Sequence, residues 1–292
     1  MFLKGENVSF GYTIEKIVLD GISFALHKSN TLSIVGASGC GKSTLLRIIS
    51  GILPVTKDNR LSGQISINGQ TPDGYRKSGK LAFMFQESTL MPNLTVKENI
   101  AFPLKIRGTK DDKKVIDLLQ TVGLSEYASY LPKQLSGGMK TRVALARSFV
   151  TGPELLLLDE PFSALDIAWK STLYIELEKL REQYRTTVVF VTHDVQEALL
   201  LSNRVMVMSR AGEIKGNHEI ESSKSLIERV HDISGFMNEV YANYLIPIQR
   251  SIMLDGNKKI SARKENSMIL DESATDAKYK IEDEKVDAIH IA

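Results

Sequence analysis

A chain of 292 residues is long enough for one large domain or two smaller ones and can bury a sizeable core. Its 37 basic and 35 acidic side chains leave a net charge of +2, which supplies no strong field for nucleic acid. A single cysteine excludes an internal disulfide, and no apolar run approaches the roughly 20 residues needed to cross a bilayer. The opening residues, MFLKGENVSF, lack the long apolar core of a secretion signal. The expectation is a cytosolic chain that reaches a membrane only through a partner.

In chain order, the first 35 residues predict strands, because VSFGY and GISFAL alternate apolar and polar positions around turn residues. TLSIVGASGCGKSTLLRIIS then passes from a β-branched strand through a glycine-rich turn into a helix. LSGQISINGQ reads as a hairpin turning at Asn68-Gly69, and residues 80–86, KLAFMFQ, read as a core strand. From about residue 87 to 150 the pattern is helical. Thr95 and Glu98 form a capping-box pair, and Val115, Ile116, Leu118 and Leu119 precede a glycine stop.

After Gly152-Pro153 the β/α alternation resumes. ELLLLDEP reads as a fully buried strand ending in two acids, and Leu173, Leu177, Leu180 and Tyr184 mark one face of a helix. TTVVFVTHD is a further strand leading into a helix that Asp194 caps, and RVMVMSR is another strand. The alternation predicts a parallel, doubly wound α/β core interrupted by a helical insertion. Residues 255–292 mix Lys, Asp and Glu with weak periodicity and read as a solvated, partly disordered tail.

The chemistry concentrates in three places. GASGCGKS matches G-x-x-x-x-G-K-[ST] through Gly36, Gly41, Lys42 and Ser43. Glycines let backbone N–H groups approach phosphates, and the helix N-terminus adds a favourable dipole. The motif places Lys42 toward the β- and γ-phosphates and the Ser43 hydroxyl on Mg²⁺. A metal-bound phosphate also needs an acid in the metal's shell, which Asp159 supplies, while Glu160 beside it is placed to act as general base on an attacking water. LSGGMK opens a helix with Ser136 as cap and bare amides at Gly137 and Gly138, a second anion-binding N-terminus. One nucleotide does not need two such sites on one face, so the second is expected to serve a nucleotide on another copy of the chain. Cys40, inside the first motif, occupies a variable position. Its alkylation is expected to block activity, with bound ATP protecting it.

GASGCGKS, Gln86 after AFMF, LSGGMKTR, LLLLDEP, SALD and VTHD stand in the order and spacing of the ABC transporter ATPases, and the chain resembles that family over roughly residues 1–210. The resemblance implies a P-loop NTPase (RecA-like) α/β core with an antiparallel β subdomain and an inserted helical subdomain at about 87–150. The ATPase domain would span 1–215, followed by a C-terminal extension at 216–292. By the same resemblance Tyr12 stacks on adenine, and Gly36, Ala37, Ser38, Gly39, Cys40, Gly41, Lys42, Ser43 and Thr44 form the Walker A loop. Gln86 lies near Mg²⁺ and the attacking water. Asp159 and Glu160 are the Walker B pair, Asp166 lies at a dimer interface, and His193 faces the γ-phosphate. Ser136, Gly137 and Gly138 complete the opposite protomer's site.

Mg²⁺-ATP, a second ATPase subunit (a homodimer), separate membrane permeases, an extracytoplasmic solute-binding protein and a place on the cytoplasmic face of the cell membrane follow from the resemblance. The motifs are most similar to those of nitrate, sulfonate, taurine and bicarbonate importers, although Asn93, Thr141 and the HKSN run at 27–30 depart from that pattern. An exporter ATPase or a non-transport ABC ATPase is the alternative.

Overall fold

A computed structural model describes residues 1–13, 16–53, 60–163, 165 and 167–220. All of them fall in the first of two compact units, Met1–Ile246. Asp166 and the extension beyond residue 220 lie outside the described residues. In order, the elements are β1 (Leu3–Gly11), β2 (Ile17–Leu26), β3 (Thr31–Gly36), α1 (Lys42–Ile49), β4 (Arg60–Ile67), α2 (Pro72–Lys77), β5 (Leu81–Met84), α3 (Val96–Ile106), α4 (Asp112–Thr121), α5 (Gly137–Phe149), β6 (Leu155–Asp159), α6 (Ile167–Tyr184), β7 (Thr187–Thr192), α7 (Val195–Leu201), β8 (Arg204–Met208) and β9 (Ile214–Glu219).

The leucine run of β6 shows why the main sheet sits where it does. Leu156 and Leu158 pack on one face with Val188 and Phe190 of β7, among residues of α3 to α6. Leu155 and Leu157 pack on the other face with Val189 and Val191, against α1 and the strands of a second sheet. A strand buried on both faces needs apolar residues at every position, and each fully buried Leu or Val contributes about 1.5–3 kcal/mol. The resulting six-stranded sheet has the order β5-β6-β7-β3-β8-β9, with parallel pairing except between β8 and β9. A three-stranded antiparallel sheet, β2-β1-β4, covers one side.

β3 lies at the centre, every residue buried, and it is paired with β7 so that Val35 stands opposite Thr192. β7 in turn sets Val191 opposite Asp159 of β6. The register therefore brings three strand ends, Gly36, Asp159 and Thr192, to one edge. That edge is where ligands bind in open parallel α/β sheets.

Helices α3, α4 and α5 fill the stretch between β5 and β6, joined by two single 3₁₀ turns at Ser125–Tyr127 and Pro132–Gln134. The capping box at Thr95 and Glu98 starts α3, Asp111 caps α4, and Ser136 caps α5.

One expectation fails. Asn68 and Gly69 do turn the chain with positive φ, and Ile67 and Gln70 exchange both backbone hydrogen bonds. No second strand follows, so this is not a hairpin, and β4 pairs with β1 instead. Thr71-Pro72 starts α2, with proline in its first turn and the Thr71 hydroxyl accepting from Gly74 N–H, so the chain turns helical before a ladder can grow. The sequence reading also missed α2 and the edge strand β9.

Candidate nucleotide site

The loop between β3 and α1 is built for close backbone approach. Gly39 and Gly41 have φ of 81° and 104°, where side chains with a Cβ are strained. A Cβ on Gly41 would stand 2.7 Å from Leu19 Cδ2, and one on Gly36 would stand 2.6 Å from the Met208 carbonyl oxygen. Gly41 caps α1 with no side-chain hydrogen bond, so the first-turn amides of α1 are not taken by a cap. Lys42 is buried, and its Nζ donates to the Gly36 and Ala37 carbonyls at 2.8 and 3.1 Å. A bare helix N-terminus with a desolvated ammonium beside it suits a phosphate chain.

Across the strand ends, Ser43 Oγ donates to Asp159 Oδ1 at 2.6 Å. Asp159 is buried, so this pair of hard oxygen donors is fixed in place. Among the described residues no cluster of three or more His, Cys, Asp or Glu could hold a metal. A hydroxyl and one carboxylate nevertheless fit Mg²⁺, which keeps several waters and takes the rest of its shell from substrate phosphates.

Glu160 follows Asp159 with φ of 45°, a left-handed conformation uncommon outside glycine. It is held there by its own N–H, which donates to Val191 O at 3.1 Å, and by Ser163 Oγ, which donates to its carbonyl at 3.0 Å. The carboxylate is thereby aimed at three polar groups. Gln86 Nε2 donates to Oε2 at 3.3 Å, His193 Nδ1 lies 3.4 Å from the same oxygen, and Lys42 Nζ lies 3.9 Å from Oε1. Gln86 stands two residues past the end of β5, and Glu160 and His193 directly follow β6 and β7, so the sheet register assembles the group.

A cleft of about 480 Å³ joins these parts, lined by Tyr12, Lys16, Val18, Ser38, Gly39, Gly41, Lys42, Ser43, Thr44, Gln86 and Glu160. Tyr12 packs edge-on against Phe10 at 5.0 Å, and its hydroxyl lies 3.1 Å from Thr44 Oγ1. Ser136, Gly137 and Gly138 are not part of this lining. They begin α5, where Ser136 Oγ accepts from Met139 N–H at 3.3 Å and Gly138 faces Leu165 and Trp169.

Sequence reasoning missed Lys16 and Val18, which no motif marks. It also missed Arg147, whose guanidinium donates to the Ser88 and Thr89 carbonyls at 3.0 Å each and so holds the segment that follows Gln86. Cys40 lies within the loop between β3 and α1. Its side chain is 1% exposed, and burial pushes the thiol pKa up against the pull of Lys42, so the thiol is shielded rather than poised to react.

A family profile described as ABC transporter matches residues 19–163. An aliphatic sulfonates import ATP-binding protein of Bacillus anthracis is 45% identical over 198 residues, 68% of this chain and 76% of that one. A spermidine/putrescine import ATP-binding protein of Thermotoga maritima is 42% identical over 204 residues, 68% of this chain and 53% of that one. The fold matches a dimeric ATP-binding cassette solved in a post-hydrolysis state with ADP and phosphate, with a TM-score of 0.65 and 31% identity over 75% of this chain and 99% of that one. The cleft, its order along the chain and these likenesses agree: the chain is a P-loop NTPase of the ABC transporter family, and it is an ATPase.

Proposed function

We propose that residues 1–215 form the nucleotide-binding subunit of an ABC importer and that two copies close head to tail around two ATP molecules. The observation that carries this reading is the division of the anion-binding parts. One copy's cleft is lined by Lys42, Ser43, Gln86 and Glu160, with Asp159 bonded to Ser43 behind it, while the second helix N-terminus, at Ser136–Gly138, lies outside that lining. A second copy supplying Ser136, Gly137 and Gly138, with Asp166 at the shared face, completes the site.

In this reading Tyr12 stacks on the adenine, and Lys42 with the amides of the 36–44 loop holds the phosphates. Ser43, Asp159 and Gln86 hold Mg²⁺, which when bound offsets phosphate charge and polarises the transferred phosphoryl. Glu160 takes the proton of the attacking water, Gln86 orients that water, and His193 holds the γ-phosphate side of the site. Contacts made only in the closed pair favour closure, and loss of the γ-phosphate removes them.

Among the described residues no helix is long and apolar enough to cross a membrane. We assign passage across the membrane to separate permease subunits, docked on the cytoplasmic face and fed by an extracytoplasmic solute-binding protein. The cargo class favoured is a small anion, supported by the sulfonate importer likeness. The polyamine importer likeness at a similar identity warns that cargo is recognised elsewhere than in the cassette. The test is mild-detergent extraction of the tagged chain from its own cells. Integral membrane proteins lacking a cassette of their own should co-purify with it. Recovery of the chain alone, with ATPase activity intact, would count against transport.

A further inference from the structure

Behind His193 lies a buried charged cluster that the hydrolysis scheme does not use. Glu197, on α7, is 2% exposed. Its Oε1 accepts from Lys170 Nζ at 2.7 Å and from the Tyr174 hydroxyl at 3.3 Å, and its Oε2 accepts from the Thr192 hydroxyl. The Thr192 hydroxyl in turn accepts from Asp194 N–H at 3.0 Å, and Asp194 Oδ2 lies 3.5 Å from Lys170 Nζ. Burial opposes the Lys170 charge, but Glu197 and Asp194 outweigh it and hold the ammonium above the ordinary lysine range. A buried carboxylate with three donors is fully paired, which removes the large penalty of an isolated buried charge.

The placement of these partners matters more than their number. Thr192 and Asp194 are the two neighbours of His193, so one carboxylate fixes the backbone on both sides of that residue. Lys170 and Tyr174 stand four apart on α6, on one helical face. Tyr174 also packs edge-on against Phe162 at 4.8 Å, two residues beyond Glu160. The cluster therefore touches the turn that carries His193 and the loop that follows Glu160.

We infer that Glu197 is a positioning residue for hydrolysis: by tying α6 to the turn at 192–194, it sets His193 against Glu160. The inference rests on the role proposed above for His193. A side chain displaced by even about 1 Å from a productive geometry can cost on the order of 100-fold in rate. Cutting the tie without removing a reacting group should cost less, roughly tenfold in kcat.

The experiment is a double-mutant cycle on the full chain, with steady-state ATPase kinetics. Glu197→Gln and Thr192→Val are each made alone and in a His193→Ala background. Each single variant is expected to lower kcat roughly tenfold and to leave KM for ATP within about twofold, assayed well below its own unfolding temperature, which loss of a buried partner lowers. In the His193→Ala background neither should lower the rate further. Should the full tenfold loss persist in that background, or appear in KM instead of kcat, the positioning role is wrong while the role of His193 stands. A His193→Ala chain with parental turnover would overturn the role of His193 and the positioning inference with it.

Discussion

Ser43 and Asp159 stand 116 positions apart in sequence, yet the serine hydroxyl donates to the aspartate at 2.6 Å. The contact exists because β3 and β6 both end at the same sheet edge, with β7 between them. If this pair holds Mg²⁺, its loss should appear as a changed metal requirement. Ser43→Ala is expected to raise the Mg²⁺ concentration for half-maximal ATPase activity roughly tenfold, and chelation should abolish turnover in both proteins. Parental metal dependence in Ser43→Ala would remove the pair from the metal site.

Glu160 has Gln86, His193 and Lys42 grouped around its carboxylate. Glu160→Gln keeps the shape and removes the base. Turnover should fall about 100- to 10,000-fold while ATP binding remains, because general base catalysis supplies a factor of that order. Near-parental activity in a metal-replete assay would sink the assignment of Glu160 as base.

Cys40 should be a slow thiol. Burial raises its pKa and shields its sulfur, and the thiolate is the form that reacts. At about pH 7.5 iodoacetamide should modify the folded chain at least roughly tenfold more slowly than it modifies the chain in urea. Equal rates in the two states would show that the loop opens readily.

Glu176 gives the chain a pH dependence of stability. Its carboxyl is buried, with Oε1 3.5 Å from Arg142 Nε, and burial pushes its pKa from 4.5 up to about 7, against the pull of Arg142 and Lys179. Because the folded value is the higher one, the folded state keeps a proton that the unfolded chain releases. The stabilisation is present below pH 4.5 and is lost as pH rises through 7. Glu176→Gln stays neutral throughout, so it should unfold a few degrees above the parent at about pH 8 and level with it below about pH 4.5. A gap that does not change with pH would contradict the raised value.

How far the sequence reveals this arrangement depends on whether a feature is local. The loop from Gly36 to Thr44 is legible because a strand, its glycines, a lysine and a helix follow one another within a few residues. β6 is legible because four leucines in a row have no solvent face. The fork from Arg147 to Ser88 and Thr89 spans more than 50 positions and leaves no periodic trace. Glu197 reads in sequence as an ordinary first-turn acid of a helix, and only the fold buries it beside Lys170. Asn68-Gly69 shows the converse, a strong local turn signal whose outcome was decided by the Thr71-Pro72 cap beyond it.

The central claim is that one chain holds half a site and a second copy holds the other half. Light scattering on the Glu160→Gln chain with MgATP measures this directly. The mass should double from 32.5 kDa on adding nucleotide, and Ser136→Arg in the same background should bind ATP yet keep the single-chain mass. A Glu160→Gln chain that stays at 32.5 kDa with ATP bound, or a Ser136→Arg chain that doubles its mass all the same, would contradict the account.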